Sequence, residues 1–278
     1  MEKDIRKSVI AGTWYPGNPR ILRADIEEFL HNVPDEKIEG KITGIIVPHA
    51  GYVYSGQVAA FAYKTVREEI FDAVILLGPS HRAFFHGVSI HDKGGYETPL
   101  GIVPVDNSLA KDIMAQSRMI SNIPAAHSQE HSLEIQVPFL QVALGDFRFV
   151  PLVMGEQDRR TCEMLAESIV KAVGDRRVLI VGSSDLSHFH SYEKAVKLDS
   201  AVLHRIEKMD AEGLLKDLEE NVSEACGGGP AAVTMMISKK LGSHRAKILK
   251  YANSGDVTGD RGSVVGYTSA VLFKARNS

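Results

Sequence analysis

A chain of 278 residues, 44% hydrophobic and 24% charged, carries enough apolar material to bury its own core as one large domain or two small ones. Lys and Arg number 32 against 35 Asp and Glu, a formal net charge of -3, so composition gives no reason to expect a nucleic acid or an anionic membrane as partner. The segment Met1–Lys7 lacks the apolar core of a signal peptide, and no later run approaches the ~18 apolar residues that span a bilayer, which predicts a cytoplasmic protein. In that setting Cys162 and Cys226 are expected as free thiols.

No internal repeat, low-complexity tract or long Pro/Ser/Gly linker divides the chain, so one domain over residues 1–278 is expected. Apolar, β-branched runs predict buried strands at Thr43–Val47, Ala73–Leu77, Phe147–Val150, Val178–Val181, Lys247–Tyr251 and Ser263–Phe273. A helix from about Asp158 to Val173 places Cys162, Leu165, Ala166, Ile169, Val170 and Val173 on one face, making Cys162 a structural thiol. A second apolar helical run, Ala231–Leu241, follows the turn formers Gly227, Gly228, Gly229 and Pro230. Strands alternating with helices predict an α/β fold, with a central mostly parallel or mixed sheet covered by helices on both faces.

The unusual segments follow the strands. Thr43–Val47 runs into Pro48-His49-Ala50-Gly51-Tyr52, Ala73–Leu77 into Gly78-Pro79-Ser80-His81, and Val178–Val181 into Gly182-Ser183-Ser184-Asp185-Leu186-Ser187-His188-Phe189-His190. Ligands of open α/β sheets bind at the carboxyl edge, so three segments delivering histidines there point to one polar pocket for a metal or a proton transfer. Asp185 stands three residues before His188 and either orients it for acid–base work, faces a ligand or caps a following helix. Cys226, just before a helix N-terminus, is expected to have a lowered pKa and to serve as a metal ligand or a nucleophile. His127, His131 and Glu134 recur at helical spacing and either hold a metal or begin an exposed helix. The turn-rich run Tyr251–Asp260 is expected as a surface loop rimming the pocket.

In order, Ala11–Pro16, Pro48–Gly56, Leu77–His81, Tyr96–Gly101, Glu130–Gln136, Ser183–His188, Cys226-Gly227 and Asn253–Val257 closely resemble the Memo family over nearly the whole chain. The resemblance implies a fold similar to the class III extradiol dioxygenases, whose non-haem iron is held by two histidines and a carboxylate. His49 and His81 match the two imidazole positions, Cys226 falls at the third, and His188 matches the acid–base histidine. His131, Glu134 and Tyr54 are assigned as supporting groups around these ligands.

The resemblance implies Fe(II) or copper, and a thiolate, softer than a carboxylate, welcomes copper and also admits zinc. The resemblance also implies a small-molecule or peptide ligand and, for prokaryotic relatives, a radical-SAM pathway protein as partner. Three functions follow: a metal-dependent oxidoreductase, a metal-free Cys–His enzyme, and a non-catalytic module that keeps a dioxygenase-like pocket. Catechol dioxygenase activity is not expected, because the thiolate pushes electron density onto the metal.

Overall fold

The computed structural model describes residues 4–67 and 69–276. The chain opens with β1 (Ile5–Arg6), α1 (Pro19–His31), β2 (Gly40–Val47), α2 (Tyr52–Thr65) and β3 (Ala73–Pro79). Shorter elements follow: β4 (Val88–Ile90), β5 (Gly95–Thr98), β6 (Gly101–Pro104), α3 (Asn107–Met114), β7 (Ile120–Ser121), α4 (Pro124–Ser128), α5 (His131–Glu134) and α6 (Val137–Leu144). Regular alternation resumes with β8 (Phe149–Met154), α7 (Arg159–Val173), β9 (Val178–Ser183), β10 (His188–His190) and α8 (Tyr192–Glu207). The chain closes through α9 (Ala211–Glu219), α10 (Gly228–Lys240), β11 (Arg245–Asn253), α11 (Ser254–Thr258) and β12 (Val264–Ala275).

One mixed sheet of nine strands runs β10-β12-β2-β9-β3-β8-β4-β7, with β11 added to β12. Its centre, β2-β9-β3-β8, is wholly parallel. Every residue of β3, β8 and β9 is buried, as expected of apolar runs covered on both faces. Helices α7 and α10 pack together as one layer, and α1, α2 and α6 as another. Strand β12 lies antiparallel to β2, β10 and β11, which makes the sheet mixed. This is the single-domain α/β architecture that the alternation of elements predicts. A second sheet, β1-β5-β6, went unpredicted because its strands are two to four residues long, too short for alternation to register.

Local chemistry sets where the strands release the chain. Strand β2 pairs with β9 as far as Val47 and Ser183, and Pro48 then offers no N–H to continue the ladder. His49 therefore lies just beyond the carboxyl edge. Helix α7 begins where the apolar periodicity places it, with the Asp158 side chain accepting from the Thr161 amide. Cys162 is buried on its core face, and burial pushes its thiol up to about 12. No helix among the described residues is long and apolar enough to cross a membrane.

The N-terminal segment is fastened to the domain through one buried carboxylate. Glu134 on α5 accepts from the Val9 and Ile10 amides, the Tyr15 hydroxyl at 2.7 Å and the Ser8 hydroxyl, and pairs with Arg6. Arg6 also donates to the His127, Glu130 and Lys7 carbonyls, so four of its five N–H groups are engaged. Burial opposes ionisation of Glu134, but the Arg6 charge and the donated hydrogen bonds outweigh it and hold the carboxyl below its usual range. A depressed carboxyl pKa stabilises the fold above the unfolded value of ~4.3, and that stability is lost as pH falls through the lower folded value. Glu134→Gln, which strands Arg6 in the interior, is expected to cost about 3 kcal/mol at neutral pH and to flatten the acid limb of stability between about pH 5 and 3. Urea titrations across that range test this; parallel acid limbs in parent and variant would contradict it.

Candidate metal site

Three strand ends and one helix entry converge at the carboxyl edge of the parallel centre. His49 follows β2, His81 follows β3, Asp185 follows β9, and Cys226 sits immediately before Gly227, which caps α10. One donor atom each from His49, His81 and Cys226 lie within 4.8 Å of one another, and the Cys226 Sγ is 3.0 Å from the His49 Nε2. The rings of His49 and His81 meet edge to face at 5.1 Å.

Acceptors behind the rings decide which nitrogen faces the pocket. The Ser183 hydroxyl donates to the Ser132 carbonyl at 2.7 Å and accepts from the Gln136 amide at 2.9 Å. Toward His49 Nδ1, 3.1 Å away, that oxygen has only a lone pair left, so Nδ1 carries the proton and Nε2 presents a lone pair to the pocket. Glu130 does the same for His81, taking the Nδ1 proton at 3.0 Å on one oxygen and the His81 amide at 2.6 Å on the other. At His188 the acceptor is the Leu186 carbonyl, 2.8 Å from Nδ1, which again leaves Nε2 free. Carboxylate or carbonyl support at one ring nitrogen is the usual way a metal-binding imidazole is oriented.

Electrostatics keeps these donors available. Burial, reinforced by the charge of His81, pushes His49 down to about 3, so its ring is neutral at ordinary pH. Burial works against ionised Glu130, yet the His81 ring and amide and the Ser132 amide outweigh it and hold the carboxyl at about 2. Asp185 behaves oppositely: burial raises it to about 6 although the His49 amide donates to it at 2.7 Å. Cys226 departs from expectation. Its position before a helix favours thiolate, but burial and the neighbouring Asp185 push the thiol well above its ordinary value.

A family model described as Memo-like protein matches residues 6–271. The chain belongs to the Memo family. A MEMO1 family protein of Methanobrevibacter smithii is 41% identical over 96% of this chain and 99% of its own, and one of Sulfolobus acidocaldarius is 40% identical over 95% and 98%. Among solved structures, an uncharacterized protein of Escherichia coli K12 resembles this Memo chain in fold, with a TM-score of 0.58 at 13% identity, covering 83% of this chain and 99% of that one.

Other anticipated residues of this Memo protein fall in different places. Asp185 neither caps a helix nor bonds to His188; its carboxylate holds the His49 amide, and the segment continues as β10. His127 and His131 do not share a helix face, because the chain breaks at Gln129 between α4 and α5. His127 turns inward to the Tyr96 hydroxyl at 2.7 Å and the Ser89 hydroxyl at 3.0 Å. His131 does adjoin the site, its ring stacked 4.5 Å from His81 and 4.4 Å from Trp14. Glu134 spends its oxygens on the N-terminal segment, and Tyr54 is largely exposed on α2. His190 is bound to the Glu224 carboxylate at 2.9 Å.

Four supporting residues escaped the sequence reading. They are Glu130, Ser183, Gln136 and Gln157, the last donating to the Cys226 carbonyl at 2.9 Å and accepting from the Gly229 amide at 2.8 Å. Polar residues of this kind have no periodic signature; only the strand-end position of Ser183 and the neighbouring imidazole of Glu130 hinted at a role. Gly227 is needed sterically, since a Cβ there would stand 2.1 Å from the Ser183 carbonyl oxygen. The raised Cys226 thiol predicts that chelator-treated protein is alkylated slowly by iodoacetamide at pH 7, with a rate still climbing above pH 9, and that Asp185→Asn accelerates the reaction. A rate that levels off below pH 8 would contradict this.

Proposed function

We propose that this Memo protein is a metal-dependent oxidoreductase, with Fe(II) or copper held by the Nε2 atoms of His49 and His81 and the Sγ of Cys226. The observation that carries the reading is the pair of backing acceptors, Ser183 and Glu130, which commit both Nδ1 protons and turn both Nε2 lone pairs inward beside the thiol. The donor set fits: two imidazoles and a sulfur suit Cu(I) and Zn(II) and are tolerated by Fe(II). When bound, such an ion supplies redox and Lewis-acid chemistry that the side chains lack.

The chain's own residues position and move protons. Asp185 anchors the His49 backbone, so the ring is fixed from both its amide and its Nδ1. Gln157 fixes the Cys226 turn through its carbonyl. His188, with Nδ1 committed to Leu186, has Nε2 free to accept a proton from a substrate and return it. The substrate is a small molecule or a protein segment.

A metal-free Cys–His enzyme is favoured by the 3.0 Å approach of Cys226 to His49. Against it, the thiol is held protonated by burial and by Asp185, and His49 is a weak base for the same reason of burial. Both become an advantage once a cation takes the thiol proton's place.

His49→Ala, His81→Ala and Cys226→Ser are each expected to abolish stoichiometric Cu(I) and Fe(II) binding with circular dichroism unchanged. Glu130→Gln should weaken binding by roughly 10–100-fold. Cys162→Ser should keep the metal while lowering the unfolding midpoint, because that thiol lies in the core. Anaerobic metal titration of the five variants decides the matter; Cu(I) binding by Cys226→Ser at parental affinity would overturn the proposal.

A further inference from the structure

Gln136 stands at the N-cap position of α6, yet its side chain makes no capping bond. It is buried and reaches instead to the end of β2. Its Nε2 donates to the Pro48 carbonyl at 2.8 Å and to the Ser183 hydroxyl at 2.9 Å. The first bond fixes the backbone immediately before His49, and the second fixes the oxygen that takes the His49 Nδ1 proton 3.1 Å away. One amide thus holds both the stem and the ring of a candidate ligand.

Tyr63 on α2 orients that amide. Its hydroxyl lies 2.8 Å from the Gln136 Oε1, and burial keeps the phenol protonated, so it serves as the donor. With Oε1 turned to Tyr63, both Nε2 hydrogens face Pro48 and Ser183. A flipped amide would set Oε1 against the Pro48 carbonyl, two acceptors with no proton between them. Tyr63 is itself held in place, completely buried with its ring stacked on Phe139 at 4.9 Å. A phenylalanine would fill the same space, so what the hydroxyl adds is the bond to Gln136. Tyr52, about three turns earlier on α2, also packs on Phe139 at 4.9 Å but sends its hydroxyl to the Ile135 carbonyl at 2.9 Å.

We infer that Tyr63 is a positioning residue for His49: through Gln136 it fixes the Pro48 carbonyl and the Ser183 hydroxyl together, and so holds the imidazole in the orientation and tautomer that turn Nε2 into the pocket. Ser183 spends its own proton on the Ser132 carbonyl at 2.7 Å, so with Gln136 donating to it, the oxygen is left to accept from His49. Every group in this run is neutral at neutral pH, and hydrogen bonds rather than charges set its geometry. The role belongs to the metal-free protein and holds whether or not the pocket takes an ion.

The test is ring NMR at neutral pH on the full chain, carrying isotope-labelled histidine and dialysed against a chelator, with the His49 signals identified by their absence in His49→Ala. In the parent the ring is expected to carry its proton on Nδ1 and none on Nε2, and that proton to exchange slowly with water. A ring protonated on Nε2 would overturn the inference without recourse to any variant. Tyr63→Phe removes one oxygen and leaves the Gln136 Oε1 unpaired, which loosens its hold on Ser183 and lets that hydroxyl donate to the ring. The Nδ1 proton is then expected to exchange about tenfold faster and the two tautomers to mix. Tyr52→Phe deletes a buried hydroxyl from the same Phe139 cluster but leaves Gln136 untouched, and its His49 signals are expected to match the parent's. No change in a folded Tyr63→Phe, or an equal change in Tyr52→Phe, would overturn the inference. Gln136→Met breaks the same connection one step further along, so Tyr63→Phe/Gln136→Met should exchange at the rate of Gln136→Met alone; additive acceleration would show that Tyr63 does not act through Gln136. A His49 ring that answers to Tyr63 in a protein unable to bind Cu(I) or Fe(II) would sink the proposed function and leave this inference standing.

Discussion

Parallel pairing of β2, β9 and β3 is the constraint on which the site depends. Parallel strands all release the chain at the same edge, so His49, Asp185 and His81, which belong to three separate stretches of sequence, are delivered side by side. The strands are buried throughout, and a one-residue slip would cross apolar and backbone contacts on both faces. The geometry of the pocket is therefore backed by the core itself. Cys226 is the one candidate ligand not borne by a strand end, and it is held by a different device: Gly227 packed against the Ser183 carbonyl, and Gln157 reaching across from the end of β8.

Around that scaffold the chemistry is governed by proton placement. Each of His49, His81 and His188 commits Nδ1 to an acceptor of a different kind, a hydroxyl, a carboxylate and a carbonyl. The consequence is the same in all three, an Nε2 that carries a lone pair, which at His49 meets the Cys226 thiol at 3.0 Å. Burial then keeps His49 neutral and Cys226 protonated. A pocket that resists both imidazolium and thiolate is poor at nucleophilic catalysis by itself and well prepared for a cation, which would replace the thiol proton and accept the lone pairs.

Much of this was legible in the sequence. The buried strands and the α7 face announce themselves by periodicity, and the residues after β2, β3 and β9 stand out because polar side chains rarely cluster after apolar runs without a reason. The short sheet β1-β5-β6 and the break between α4 and α5 were not legible, because each rests on contacts distant in sequence. The same holds for Glu134, whose spacing from His131 suggested support of the site, whereas Arg6, Val9, Ile10 and Tyr15 capture it instead. Helix position alone misjudged Cys226: the thiol is shielded from water and faces Asp185, and those two effects outweigh a favourable helix end. Tyr63 and Gln157 carry no motif at all, and only the tertiary structure exposes what they grip.

The central claim is that two imidazole Nε2 atoms and one thiolate share a single ion. X-ray absorption at the metal edge, on protein loaded anaerobically with Cu(I) and in parallel with Fe(II), addresses it most directly. The account predicts a shell containing two imidazole nitrogens and one sulfur, with the sulfur lost in Cys226→Ser. A shell of nitrogen and oxygen only, or a sulfur that persists in that variant, would contradict it.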